Sequence, residues 1–337
     1  MSKNSGHNQT RLISRRHVIA AGAGAAALVS MPSIVRAQAW PSKPIRIVCG
    51  FAAGGQTDQF SRVYGEYIAR ELGQPVVVEN KTGASGAIAA MEVKRADPDG
   101  YTLMMSNTGT YMLNPLLQKD VKYSIADDFV FVSMMPTGGL PLLVSEKIGA
   151  KTLSEFIAYA RKAERVNLGT YAAGSYAHVV INELNRQYGL KIEPVHYRGE
   201  APMWTDLMGQ SIDGGIGSFG AALPAIQSGK ANAVAVTRRR LIAMPDVKTF
   251  GEQGVVSRAN NLLTFQACAA PAKTPPEIVK KLSDLFVAAA KTEKITDMLK
   301  KQSIDEPPMT AEASAASYKQ EAPIWSEMVA NLGPIAQ

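Results

Sequence analysis

Short apolar runs that end in glycine-rich turns and restart as helical periodicity constrain this chain most. Ile45-Arg46-Ile47-Val48-Cys49 suits a buried strand, and Gly50 to Thr57 follows as a Gly/Ala loop. Phe60, Val63, Tyr64, Tyr67, Ile68 and Leu72 then recur at helical spacing until Gly73, a natural stop. Val76-Val77-Val78 reads as the next strand, Gly86 to Ala96 has a helix's composition, Pro98-Asp99-Gly100 is a turn, and Tyr101 to Met105 is a third strand. This alternation predicts a parallel α/β sheet with right-handed crossovers. Such sheets take ligands at the carboxyl ends of their strands, where these loops lie.

The alternation restarts after Leu140. Phe156, Tyr159 and Ala160 share a helical face, Val166-Asn167-Leu168 is a strand, and Gly174 to Tyr188 reads as a helix. Val195-His196-Tyr197 leads to a helix over Ala201 to Met208, and Ala233 to Val236 is another strand. This predicts a second α/β unit. Phe265 to Ala270 reads as a further strand, with helical stretches over Glu277 to Lys291 and Ala311 to Asn331.

The first 39 residues carry an address. Arg15-Arg16 precedes an apolar run, Val18 to Val29, diluted by Gly and Ala, and Ala37-Gln38-Ala39 is a small-x-small cleavage site. The run falls short of the roughly 20 residues needed to span a bilayer, so cleavage before Trp40 is expected rather than anchoring. The arginine pair and weakly apolar core resemble a twin-arginine signal, although adjacent arginines also occur in general secretory leaders. Removing the leader leaves roughly 300 residues, about two domains of chain. Five of the 36 basic residues lie in the leader, which has no acids, so the mature balance is 31 basic against 29 acidic. That near-neutrality gives no argument for nucleic acid. No long apolar run follows the leader, so the mature protein is expected to be soluble.

Cys49 and Cys268 both sit in apolar strand-like runs, where two unpaired buried thiols are expected before a disulfide. Only His178 and His196 remain after cleavage, in no metal-ligand spacing, so no metal or redox cofactor is expected. Gly215-Ile216-Gly217-Ser218-Phe219-Gly220 matches G-x-G-x-x-G in letters. Ser211 to Gly214 is a poor strand before it and Arg238 to Arg240 is basic where an acid should stand, so the glycines read as close-packing residues. Gly174-Ser175 and Gly217-Ser218 lack a G-x-S-x-G elbow, although Ser175 with His178 or His196 leaves an exported hydrolase as a rival reading. Arg238-Arg239-Arg240 reads as a solvated basic edge.

Three loops have the chemistry for an anion without a cation. Ala53-Gly54-Gly55-Gln56-Thr57-Asp58, Gly83-Ala84-Ser85-Gly86 and Ala173-Gly174-Ser175-Tyr176 each open a helix. A helix start offers unpaired N–H groups and the positive end of its dipole, so it can hold a carboxylate. The same residue types also serve as helix caps.

At these residues the chain resembles the extracytoplasmic solute-binding proteins of tripartite tricarboxylate transporters, the Bug family. Trp40-Pro41-Ser42-Lys43-Pro44-Ile45-Arg46 is similar to the family's opening, and Gly54-Gly55-Gln56-Thr57-Asp58 to its G-G-x-x-D loop. Val76 to Asn80 with Gly83-Ala84-Ser85-Gly86, Pro98-Asp99-Gly100-Tyr101-Thr102-Leu103 and Tyr197-Arg198-Gly199 with Asp206-Leu207 and Gly209-Gln210 match further signatures. Ala235-Val236-Thr237, Arg240, Pro245-Asp246-Val247 and Glu252-Gln253-Gly254 follow in family order. Departures are Gly50 for Pro, His196 for Pro, and Ala172 for the first glycine of a G-x-G-S turn. The stretch after Asp213 lacks a second acid that commonly meets a ligand's amino group, which leans toward a ligand without an amine.

The resemblance implies an α/β, two-domain periplasmic-binding-protein type II (Venus flytrap) fold. Domain one would be residues 40 to 140 plus 263 to 337 and domain two 141 to 262, with a hinge near 135 to 142 and 262 to 268. It implies a monomeric, non-enzymatic periplasmic protein that needs no cofactor. That protein captures a small organic carboxylate, closes around it, and delivers it to inner-membrane permease subunits; a sensor using the same closure is an alternative. Carried over residue by residue, the ligand site would comprise Gly54, Gly55, Thr57, Asp58, Ser85, Ser106, Asn107, Thr108, Thr170, Gly174, Ser175, His178, Tyr197 and Ser218.

Overall fold

The computed structural model describes residues 40–118, 121–255 and 257–332. The leader and its arginine pair lie outside them. Among the described residues ten strands form two five-stranded sheets. The first holds β1 (Ile45–Cys49), β2 (Val76–Asn80), β3 (Thr102–Asn107), β4 (Phe129–Pro136) and β10 (Phe265–Pro271), in the order β2-β1-β3-β10-β4. The second holds β5 (Pro141–Ser145), β6 (Val166–Thr170), β7 (Ile192–His196), β8 (Gly214–Ile216) and β9 (Ala231–Val236), in the order β7-β6-β8-β5-β9. No described helix is long and apolar enough to cross a membrane.

The expected all-parallel pairing holds for β1 with β2 and β3, and for β6 with β7 and β8. It fails for one strand per sheet: β10 runs antiparallel to β3 and β4, and β5 antiparallel to β8 and β9. Those are the strands by which the chain enters each sheet from the other. Residues 137–140 join β4 to β5 directly, and a parallel neighbour needs a crossover of about a dozen residues or more. The chain therefore enters the second sheet at its carboxyl edge and runs backwards.

The longer helices cover the sheet faces with the apolar stripes their spacing supplies. In the Gln56–Leu72 helix Phe60, Tyr64 and Ile68 are buried, and Tyr64 stacks on Phe286 of the Pro276–Ala289 helix at 5.1 Å. A further helix, Glu293–Lys301, forms where none was expected. The Ala311–Leu332 helix packs Tyr318 on Phe131 of β4 and Trp325 edge-on against Tyr176 of the Tyr176–Tyr188 helix, 5.8 Å away. It thus braces both sheet-centred halves.

Cys49 and Cys268 are both buried and free. Cys49 pairs in register with Met105, and Met105 with Cys268, so β3 stands between them. Two strand spacings put them about 10 Å apart, beyond the roughly 7 Å a disulfide tolerates.

Candidate functional site

The carboxyl ends of β1 and β3 face those of β6 and β8, and the loops leaving them meet. Across that junction the amide of Ala52 donates to the Arg198 carbonyl at 3.1 Å, and the Ser85 hydroxyl donates to the Ala173 carbonyl. Among the described residues two cavities lie there, sharing the rings of Phe51 and Tyr171, which meet edge to face at 6.3 Å.

The inner chamber is about 20 Å³. Gly55, Gln56, Thr57, Asn107 and Thr108 line it from one half, Glu200 from the other, and Thr137, Thr264 and Gln266 from the crossover segments and β10. Glu200 is the surprise. Its carboxylate accepts from the Gln56 amide at 3.0 Å, the Ser218 amide at 2.5 Å and the Ser218 hydroxyl at 2.8 Å. Gln56 opens one helix and Ser218 caps the Phe219–Gln227 helix, so a side chain of this protein already occupies two helix starts. Burial pushes the Glu200 carboxyl up, against the pull of those three donors.

The outer cavity is about 350 Å³, lined by Thr82 to Gly86 and Gln118 on one side and Ala172, Ala173, His196, Tyr197 and Arg198 on the other. Arg198 has no ion-pair partner among the described residues. Its wall at Ala84 and Ser85 is strained, with φ of 45° and 53° at non-glycine residues. Asn114 Nδ2 holds that backbone by donating to both carbonyls, at 3.1 and 2.9 Å, and the Thr110 hydroxyl donates to the Ser85 carbonyl at 2.8 Å.

Of the residues carried over from the resemblance, Gly55, Thr57, Asn107 and Thr108 line the inner chamber, and Ser85 and Tyr197 the outer cavity. Ser218 reaches the inner chamber only through Glu200. The others stand behind the walls. Asp58 clamps its own loop, accepting from the Gly54 amide and Arg62 Nε at 3.0 Å each and Asn80 Nδ2 at 2.9 Å. Burial pushes the Asp58 carboxyl up, and the Arg62, Gly54 and Asn80 bonds outweigh it, leaving the group below the usual range. The Ser106 hydroxyl pairs with Thr110 at 2.6 Å. The Ser175 hydroxyl accepts from the His178 amide at 3.4 Å, and the Gly174 amide donates to His178 Nδ1 at 3.0 Å. The Thr170 hydroxyl donates to the Ala172 carbonyl at 3.1 Å, so His196 Nδ1, 2.7 Å away, must donate to it. No hydrogen bond joins either imidazole to a serine hydroxyl among the described residues.

The glycine-rich stretch after Asp213 permits close packing: a Cβ on Gly217 would lie 2.8 Å from the Trp204 ring and 3.0 Å from Glu200. Gly214 and Gly215 form β8 itself, despite the poor strand signal. The arginine run is a solvated edge at Arg240, which is exposed, while Arg238 and Arg239 are half-buried. Arg238 and Arg239 pair with Glu306, and Arg240 with Glu252. Sequence reasoning missed Gln56, Glu200, Gln266 and Arg198 as wall residues. The acid immediately after Tyr197-Arg198-Gly199 was the one available signal.

The model of the family described as "Tripartite tricarboxylate transporter family receptor" matches residues 60–333. A UPF0065 protein of Bordetella bronchiseptica is 32% identical over 258 residues, covering 76% of this chain and 75% of that protein. Rpa4515 of R. palustris, solved with adipate, superposes with a TM-score of 0.81 at 29% identity, over 88% of this chain and 99% of its own. MatC of Rhodopseudomonas palustris, solved with bound malate, gives 0.77 at 27% identity, over 86% and 100%. With two sheets joined by reversed crossover strands and a family match along most of its length, this chain belongs to the tripartite tricarboxylate transporter family receptors.

Proposed function

We propose that the protein is a periplasmic receptor that captures a small organic carboxylate between its two sheet-centred lobes and delivers it to inner-membrane permease subunits. The observation that carries this reading is the charge of the outer cavity: Arg198 is its one formally charged lining residue and has no ion-pair partner among the described residues. The adipate and malate held by the two related structures support a carboxylate as the cargo. The lobes are residues 40 to 140 plus 263 to 337, and 141 to 262. The hinge lies at 135 to 142 and 262 to 268, where β4 runs into β5 and the chain re-enters β10. Closure about that hinge buries the ligand, and the permease reads the closed form. The protein works as a monomer, without a cofactor and without turnover; the imidazoles, bonded to Gly174 and Thr170 rather than to a serine, support binding over hydrolysis.

The test is calorimetric titration of adipate and malate into the wild type and into Arg198→Met, which keeps the apolar stem and removes the charge. A hydrogen-bonded charge pair is worth at least about 1.5 kcal/mol, so the variant should bind roughly tenfold or more weakly. Equal affinity would move the carboxylate away from Arg198. Product formation would replace the receptor with an enzyme.

A further inference from the structure

A relay of side-chain amides ends in the inner chamber. Gln266 Nε2 donates to Gln56 Oε1 at 3.1 Å, Gln56 Nε2 to Gln302 Oε1 at 2.9 Å, Gln302 Nε2 to Gln59 Oε1 at 2.9 Å, and Gln59 Nε2 to the Gly54 carbonyl at 3.0 Å. A carbonyl can only accept, so the last bond fixes the orientation of every amide before it. What remains at the other end is Gln266 Oε1, an acceptor. Gln266 is 4% exposed, lines the chamber, and its Oε1 is buried without a hydrogen-bond partner.

Glu200 shares that wall. It is 8% exposed, three donors converge on it as on an ionised acceptor, and no described cation pairs with it. Two hydroxyls of that wall turn their protons elsewhere: Thr108 donates to the Phe265 carbonyl and Thr137 to Thr264. A buried carboxylate without a counter-charge and a buried carbonyl without a donor both cost free energy. One group removes both costs. A protonated amine brings the charge and three N–H donors, and it is the size of the single water that a chamber of about 20 Å³ admits.

We propose that the inner chamber is a subsite for a primary ammonium group, so that the cargo is an aminocarboxylate with its ammonium against Glu200 and Gln266 and its carboxylate toward Arg198. This rests on the receptor reading above and narrows its cargo. It also sets aside the expectation drawn from the acid missing after Asp213, because the chain supplies an acid from the turn after Gly199 instead. A neutral amide would satisfy Gln266 and leave the Glu200 charge uncompensated.

The experiment titrates two matched series into the full mature protein: α,ω-dicarboxylates and ω-aminocarboxylates of equal chain length, from short to six-carbon members. At least one aminocarboxylate should bind tenfold or more tightly than the dicarboxylate of its length. Glu200→Gln should lose that aminocarboxylate tenfold or more while holding or improving the dicarboxylate; a merely structural role would weaken both. Gln266→Met, which leaves Glu200 in place, should also weaken the aminocarboxylate selectively and serves if Glu200→Gln does not fold. Dicarboxylates binding equally or better in wild type, and better still in Glu200→Gln, would overturn the ammonium subsite. Glu200 would then be an internal occupant of a carboxylate position, and the receptor reading would stand. Absence of binding by both series and by adipate and malate would instead remove the receptor reading.

Discussion

The rings of His178 and His196 stand 4.6 Å apart, centre to centre, tilted by 56°. His178 Nδ1 accepts from the Gly174 amide, so its proton sits on Nε2, which is buried without a hydrogen-bond partner. Burial, then the neighbouring His196, pushes the His178 imidazole down to about 4. In the unfolded chain it titrates near 6.5. The folded state therefore binds fewer protons between those values, and stability rises with pH across that window. His178 contributes its full effect above about 6.5, and about 3 kcal/mol is lost as pH falls toward 4. Urea unfolding of wild type and His178→Gln at pH 7.5 and 4.5 checks this. The variant's pH slope should be shallower, and identical slopes would exonerate His178.

Gly86 holds φ at +87° between the Ser85 wall and the Gly109–Leu113 segment. A Cβ there would lie 2.2 Å from Thr110 Oγ1. Gly86→Ala adds a left-handed penalty of about 1 to 2 kcal/mol to an overpacking cost of about 1 to 3. The denaturation midpoint should fall accordingly, and an unshifted midpoint would mean that the loop relaxes freely.

Ser175 is 1% exposed and caps the Tyr176–Tyr188 helix, lining neither cavity. Ser175→Ala should cost about 1 kcal/mol of stability. Cargo affinity should change less than about threefold, because no direct hydrogen bond to a charged group is lost. A tenfold weakening with an unchanged melting curve would return Ser175 to the ligand.

Arg15 and Arg16 lie outside the described residues, and their role is testable in cells. Changing both to Lys keeps the charge and removes the guanidinium pair, so mature protein should disappear from the periplasm if the twin-arginine route exports it. Undiminished export would assign the general secretory route.

Much of the fold is legible locally. The run from Ile45 to Cys49, the loop to Thr57 and the stripe from Phe60 to Leu72 become β1, a turn and the Gln56–Leu72 helix, because period and punctuation are properties of neighbours in sequence. The crossover strands β4 and β5 were not legible. Phe129 to Pro136 is apolar throughout, and nothing in it says which sheet its continuation joins or in which direction. The candidate loops were legible as helix starts, yet not whether their amides stay available. Gly54, Gln56 and Gly174 spend theirs on Asp58, Glu200 and His178.

By itself the sequence determined the α/β alternation, the apolar faces and the family signatures, all of which rest on spacings within a few residues of chain. Only the tertiary structure decided the character of the inner chamber. Glu200 meets Gln56 across 144 residues, and Gln266 meets it across 210. Whether a buried acceptor has a donor depends on which distant groups the packing brings within about 3 Å, and no local pattern encodes that.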